Sequence, residues 1–91
     1  MLVGSIPSSI GSFASLKLMN LSKNSLTGSI PRNVGELKEL VVLDLSENKL
    51  NGSIPSEIGQ ATSLQELLLE KNNITGNMPT SLEHCLSLSV L

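Results

Sequence analysis

Three Asn-x-Ser/Thr triplets stand in this 91-residue chain: Asn20-Leu21-Ser22, Asn51-Gly52-Ser53 and Asn73-Ile74-Thr75. Such a triplet is the acceptor for an N-linked glycan when a chain passes through the secretory pathway. Asn20, Asn51 and Asn73 are therefore candidate glycosylation sites. Other reactive side chains are sparse. The chain holds one Cys and one His, the adjacent His84 and Cys85. A metal site needs more donors than these two. A thiol nucleophile needs a neighbouring base and an exposed thiolate. The carboxylates are dispersed, and no pair recurs that would do general acid and base work. No glycine-rich loop with a partner Lys and no kinase catalytic loop is present. The expectation is a chain that is not an enzyme, with no catalytic, cofactor-binding or metal-binding residues.

Composition narrows the partners. Six basic and eight acidic residues give a net charge of −2. That balance is too mild and too mixed to argue for nucleic acid or an anionic membrane. One Phe, with no Trp or Tyr, leaves no platform on which bases could stack. Uninterrupted apolar runs such as Leu67–Leu69 are far too short to span a bilayer. The start, Met1-Leu2-Val3-Gly4, has neither the basic region nor the apolar stretch of a signal peptide. A single Cys cannot form an internal disulfide.

What positions these residues is a repeat. Gly-Ser-Ile-Pro occurs at Gly4–Pro7, Gly28–Pro31 and Gly52–Pro55, and a variant, Gly-Asn-Met-Pro, at Gly76–Pro79. The spacing is 24 residues each time. A fixed period in this range marks a solenoid, which buries its core between stacked coils and needs about three of them. The coils are expected as the tail of one repeat at 1–12, repeats at 13–36, 37–60 and 61–84, and a partial repeat at 85–91.

Aligning the chain on this period separates core from surface. Leu37, Leu40, Leu43, Leu45, Leu50 and Ile54 recur as Phe13, Leu16, Met19, Leu21, Leu26 and Ile30. They recur again as Ala61, Leu64, Leu67, Leu69, Ile74 and Met78, and finally as Cys85, Leu88 and Leu91. Only apolar residues fill these columns, because a polar side chain would sit unpaired between apolar neighbours. Cys85 thus reads as a small buried hydrophobe, and His84 as an outward position. Met19-Asn20-Leu21 and Leu43-Asp44-Leu45 alternate as short strands do, and stacking would pair them into a parallel sheet. Asn24, Asn48 and Asn72 form a polar column whose carboxamides can satisfy turning backbone, a structural ladder. Gly28, Gly52 and Gly76 suit a bend with positive φ. Pro31, Pro55 and Pro79 end local strand pairing. Ser56-Glu57-Ile58-Gly59-Gln60-Ala61 suits one or two turns of 3₁₀ or α-helix, its length limited by Gly59. Glu83 replaces that glycine in the last coil, which favours a better helix there.

Leu40–Pro55 reads Leu-x-x-Leu-x-Leu-Ser-x-Asn-x-Leu-x-Gly-x-Ile-Pro. This resembles the leucine-rich repeat. The Leu-x-Gly-x-Ile-Pro part is similar to the plant-specific subclass found in receptor-like kinase ectodomains, receptor-like proteins and polygalacturonase-inhibiting proteins. The resemblance implies an α/β solenoid, with short parallel strands on the concave face and 3₁₀ or short helices on the convex face. It also implies a second short strand around Leu-x-Gly-x-Ile. It implies a protein- or peptide-recognition module of a plant receptor-like kinase, on the extracellular side of the plasma membrane. Partners would be a protein or peptide ligand or a co-receptor ectodomain. A fragment of a secreted inhibitor of cell-wall hydrolases, of the polygalacturonase-inhibiting type, or of a receptor-like protein is the alternative. Family ectodomains carry caps that are missing here, so an internal segment of a longer ectodomain is expected. Uncapped ends would make the isolated chain prone to self-association.

The expected binding face is the outward side of the strands: Lys17, Leu18, Asn20, Ser22 and Lys23; then Val41, Val42, Asp44, Ser46 and Glu47; then Gln65, Glu66, Leu68, Glu70 and Lys71. Short strands about 4.8 Å apart would give a face on the order of 300 Å² in projection. A standard interface takes about 800 Å² from each partner, so this surface would form part of a site.

Overall fold

The computed structural model describes residues 1–76, 79–80 and 87–89. The expectations at Met78, Glu83, His84, Cys85 and Leu91 lie outside the described residues.

The main strands form where a single buried apolar residue, Met19, Leu43 or Leu67, stands between two more exposed ones. The strands are β1 (Val3–Ser5), β2 (Leu18–Asn20), β3 (Ser25–Thr27), β4 (Val42–Asp44), β5 (Glu66–Leu68) and β6 (Ser87–Ser89). β2, β4, β5 and β6 form one parallel sheet in that order. Met19 pairs with Leu43, and Leu43 with Leu67. These two steps keep the period of the sequence. The last step does not: Leu67 pairs with Leu88, 21 residues on. The expected column placed Leu88 beside Leu64 instead. Ser87-Leu88-Ser89 has its one apolar residue at the centre, the sequence pattern of the neighbouring strands, and pairs in the shorter register.

After the strand the chain turns through a left-handed residue, Lys23, Glu47 or Lys71, at φ of 55–60°. The asparagine that follows holds the turn. Asn48 Nδ2 donates to the carbonyls of Leu45 (3.0 Å), Ser46 (3.1 Å) and, one coil back, Leu21 (3.0 Å). Its Oδ1 accepts from the Leu26 N–H at 3.0 Å. Asn72 repeats this set with Leu69, Glu70 and Leu45 carbonyls and the Leu50 N–H. Asn24 has Leu21, Ser22 and the Leu2 N–H. One carboxamide thus satisfies backbone groups of two coils, and at Asn48 it does so while largely buried.

A second parallel ladder runs beside the sheet. β1 pairs with β3, from Val3–Ser25 to Ser5–Thr27. The strand begins one residue before Leu26, ahead of the Leu-x-Gly-x-Ile segment expected to hold it. Its hydrogen bonding continues through the next coils, with Lys49 N–H on Leu26 O, Asn51 on Gly28, Asn73 on Leu50 and Thr75 on Gly52. Gly28, Gly52 and Gly76 then bend the chain at φ of 76°, 72° and 83°.

Among the described residues, the convex side carries three 3₁₀ helices: η1 (Ser8–Ser12), η2 (Arg32–Glu36) and η3 (Ser56–Gln60). Each follows an extended proline, Pro7, Pro31 or Pro55, that occupies the cap position. The proline carbonyl accepts from the N–H of Ile10, Val34 or Ile58. Those three residues form a further buried column, which the sequence columns above omit. The glycines inside η1 and η2, Gly11 and Gly35, have a packing reason. A Cβ on Gly35 would overlap the Glu57 carbonyl oxygen, and one on Gly11 would stand 2.8 Å from the Asn33 carbonyl oxygen. Stacked helices lie this close only without a side chain there.

The core is densest in the middle coil. Leu37, Leu40, Leu43, Leu45 and Leu50 are fully buried, as are Leu64, Leu67 and Leu69. Each such side chain contributes roughly 1.5–3 kcal/mol of burial. Phe13, expected in the same column as Leu37 and Ala61, is 59% exposed. No preceding coil lies over it, so position in the stack overrides its column.

Candidate binding face

Two outward columns cross the sheet in register. Leu18 lies beside Val42 and Val42 beside Glu66; Asn20 lies beside Asp44 and Asp44 beside Leu68. Leu18, Asn20 and Glu66 are exposed, and Val42, Asp44 and Leu68 are half-buried. Together they make a strip that is apolar at two opposite corners and polar at the others.

Lys17, Val41 and Gln65 stand just before the strands. Strict alternation would put these residues and their followers on opposite faces. The Lys17 carbonyl instead accepts from both Val41 and Val42 N–H groups, and the Val41 carbonyl from both Gln65 and Glu66. This local compression turns two successive residues outward. Lys17 and Gln65 are exposed, and Val41 is half-buried.

The far edge of the strip differs from the expected one. Asp44 Oδ1 accepts from both the N–H (3.1 Å) and the hydroxyl (2.7 Å) of Ser46. Asn20 Oδ1 holds Ser22 in the same way, at 3.0 and 2.7 Å. These turns draw the serines inward: Ser46 is 6% exposed and Ser22 half-buried. Ser46 therefore sits beneath the face rather than on it. Lys23, Glu47 and Lys71 are exposed but belong to the left-handed turns beyond the strands. In the third coil the pair becomes Leu68 and Glu70. Glu70 is half-buried, and its Oε1 has no hydrogen-bond partner among the described residues.

An apolar groove of about 470 Å³ lies at the first-coil end, lined by Pro7, Ile10, Phe13, Leu16, Leu18 and Met19 among others. It is the open end of the stack, where core columns surface. Among the described residues, no three His, Cys, Asp or Glu side chains gather as a metal site would require. No helix among them is long and apolar enough to cross a membrane.

The sequons separate by place. Asn20 lies on β2 within the strip. Asn51 and Asn73 lie on the second ladder and are exposed.

The Leucine Rich Repeat family model matches residues 15–37, 39–61 and 63–85. No curated protein matches the chain. Among solved structures, the chain is 39% identical to the ectodomain of the plant membrane receptor kinase GASSHO1/SCHENGEN3 from Arabidopsis thaliana, solved with CASPARIAN STRIP INTEGRITY FACTOR 2. That match has a TM-score of 0.89 and covers 94% of this chain and 11% of the receptor chain. PEPR1, solved with AtPEP1, is 39% identical at a TM-score of 0.94, over 98% of this chain and 13% of its own. The Arabidopsis receptor kinase HAESA, solved with the peptide hormone IDA and the co-receptor SERK1, is 36% identical at 0.92, over 99% and 16%. The chain thus spans a small fraction of the length of the receptors it is similar to.

Proposed function

The chain belongs to the leucine-rich repeat family, and we propose that it is a recognition segment of the extracellular solenoid of a plant receptor-like kinase. It contacts a peptide or protein ligand, or a co-receptor ectodomain, and performs no chemistry on it. The observation that carries this reading is the registered strip of Leu18, Val42 and Glu66 beside Asn20, Asp44 and Leu68.

A rigid parallel sheet presents these side chains at fixed spacing, so a partner that fits them loses little of its binding energy to ordering. The apolar corners exclude water from an extended backbone, and the polar positions choose among partners. HAESA was solved with a peptide hormone and a co-receptor, and the other two receptors with CASPARIAN STRIP INTEGRITY FACTOR 2 and AtPEP1. They favour the receptor reading over the secreted inhibitor. The small face makes binding by this chain weak, in the micromolar range or above, because area and hot-spot number are both limited.

The test is a display screen. The chain is immobilised and exposed to a synthetic library of short extended peptides and, separately, to the SERK1 ectodomain. Expected is a set of related peptides, or the co-receptor, captured reproducibly and released by soluble chain. A screen that returns nothing competed by soluble chain contradicts the proposal.

A further inference from the structure

We propose that Asn51 and Asn73 are N-glycosylated and that Asn20 is left bare, so that the second ladder carries the sugar and the strip stays open. The inference rests on the extracellular placement proposed above.

The three sequons are equal as motifs but not as structure. At Asn20 the fold explains the residue types. Asn20 Oδ1 accepts from the N–H and hydroxyl of Ser22. One coil on, Asp44 and Ser46 make the same pair of bonds at nearly the same lengths. Asp cannot accept an N-linked glycan, so the turn accounts for an Asn or Asp followed two residues later by Ser. The triplet at Asn20 is what this turn looks like when the first residue happens to be Asn.

No such account covers the asparagines of the other two, although Ser53 belongs to the recurring Gly-Ser-Ile-Pro and the Thr75 hydroxyl donates to the Gly52 carbonyl at 3.4 Å. Asn51 and Asn73 are exposed, and neither side chain has a hydrogen-bond partner among the described residues. Their backbone N–H groups bond to Gly28 O and Leu50 O whatever the side chain. The period confirms that the fold does not ask for Asn. Thr27 and Thr75 take the place of Asn51 in neighbouring coils, and Ser25 and Lys49 take that of Asn73. Both asparagines alternate outward with a covered neighbour, Leu50 beneath the one and Ile74 beneath the other. Two free outward carboxamides on one ladder, each followed at the right spacing by a hydroxyl residue, fit the acceptor role. The reaction balances simply. The asparagine Nδ2 bonds to the anomeric carbon of an oligosaccharide as that carbon's bond to a lipid pyrophosphate breaks. The amide gives up one proton, and the lipid pyrophosphate leaves.

The consequence is steric. A glycan on Asn20 would stand in the column shared with Asp44 and Leu68 and cover it. Glycans on Asn51 and Asn73 stand on the other ladder, beyond the left-handed turns, and restrict a partner's approach to the strip.

The test is site-by-site occupancy. The full chain is secreted from cultured human cells behind a cleavable leader and treated with peptide N-glycosidase F, which leaves Asp at each site that bore a glycan. Expected is Asp in place of Asn51 and Asn73, and unchanged Asn20. Asn51→Gln loses one glycan, Asn51→Gln with Asn73→Gln loses both, and Asn20→Gln loses none. Ser53→Ala and Thr75→Ala remove the same two glycans while leaving the asparagines in place. Secreted chain with neither site occupied overturns the proposal. Modification of Asn20 overturns its second half. Because the leader brings the chain into the pathway, occupancy is read independently of the receptor role. That role fails separately, if peptide binding is absent from chain with both sites occupied and from chain freed of glycan.

Discussion

Asn48 touches backbone from three directions while only 8% exposed. Its Oδ1 caps the Leu26 N–H, and its Nδ2 serves the carbonyls of Leu21, Leu45 and Ser46. Asn48→Ala strands those groups in a largely buried place. The expected loss is about 2–4 kcal/mol, since each buried unsatisfied group costs about 1–3 kcal/mol. Asn24→Ala removes a similar set at the exposed end, where water can substitute, and is expected to cost about 1 kcal/mol. Urea denaturation of both variants checks the order; equal losses would contradict the ladder's role. At this scale much was legible from sequence. A polar column inside an apolar segment has few other uses, and Gly28, Gly52 and Gly76 were readable as positive-φ bends. Ser46 was not legible as buried. Alternation alone puts it outward, and only its two bonds to Asp44 draw it in. Phe13 was misplaced for a different reason, because a column assigns a residue to the core without knowing whether a coil lies over it.

Glycine has two separate uses among the elements, and they differ in cost. Gly28 sits at φ 76° with its nearest would-be Cβ neighbour, Ser5 Cβ, at 3.4 Å. Gly28→Ala therefore meets backbone strain alone, about 1–2 kcal/mol. Gly35 has no such φ, but a methyl there overlaps the Glu57 carbonyl and forces η2 away from η3. Gly35→Ala is expected to cost about 3 kcal/mol, at the upper end for overpacking, and to disturb the buried Val34–Ile58 column with it. Thermal unfolding of the two variants decides; a Gly35→Ala chain at least as stable as Gly28→Ala would refute close helix stacking. The sequence showed that a convex helix follows each proline and hid why its glycine matters, because close approach between coils is a tertiary fact. The strands around Met19 and Leu43 were legible from their alternation, whereas the second ladder was expected only from the family resemblance. The shorter step from Leu67 to Leu88 was not, since it departs from the 24-residue period on which the columns were aligned.

For the whole molecule, the two faces and the open end have different fates. Every large hydrophobic side chain that is exposed among the described residues falls in the first 18 residues: Met1, Leu2, Val3, Phe13 and Leu18. Their counterparts in the middle coil, such as Leu37, are fully buried. An apolar end with an open strand edge is a template for association. The isolated chain is expected to elute at increasing apparent mass as its concentration rises, and Phe13→Ser with Leu18→Lys to reduce this. A sharp monomer at high micromolar concentration would contradict it. The period made the architecture legible before any element was assigned. The partner was not legible, because the strip's residues carry mixed charge and no repeated chemistry. The most direct measurement of the central claim is therefore the affinity of a peptide selected by this chain, compared across faces by calorimetry. Val42→Glu and Leu68→Glu on the strip are expected to weaken binding at least about tenfold, near 1.4 kcal/mol. Gln60→Glu on the convex side is expected to change it less than about twofold, as exposed positions outside an interface do. Equal weakening by all three, or none by the strip variants, would show that the concave strip is not the recognition surface.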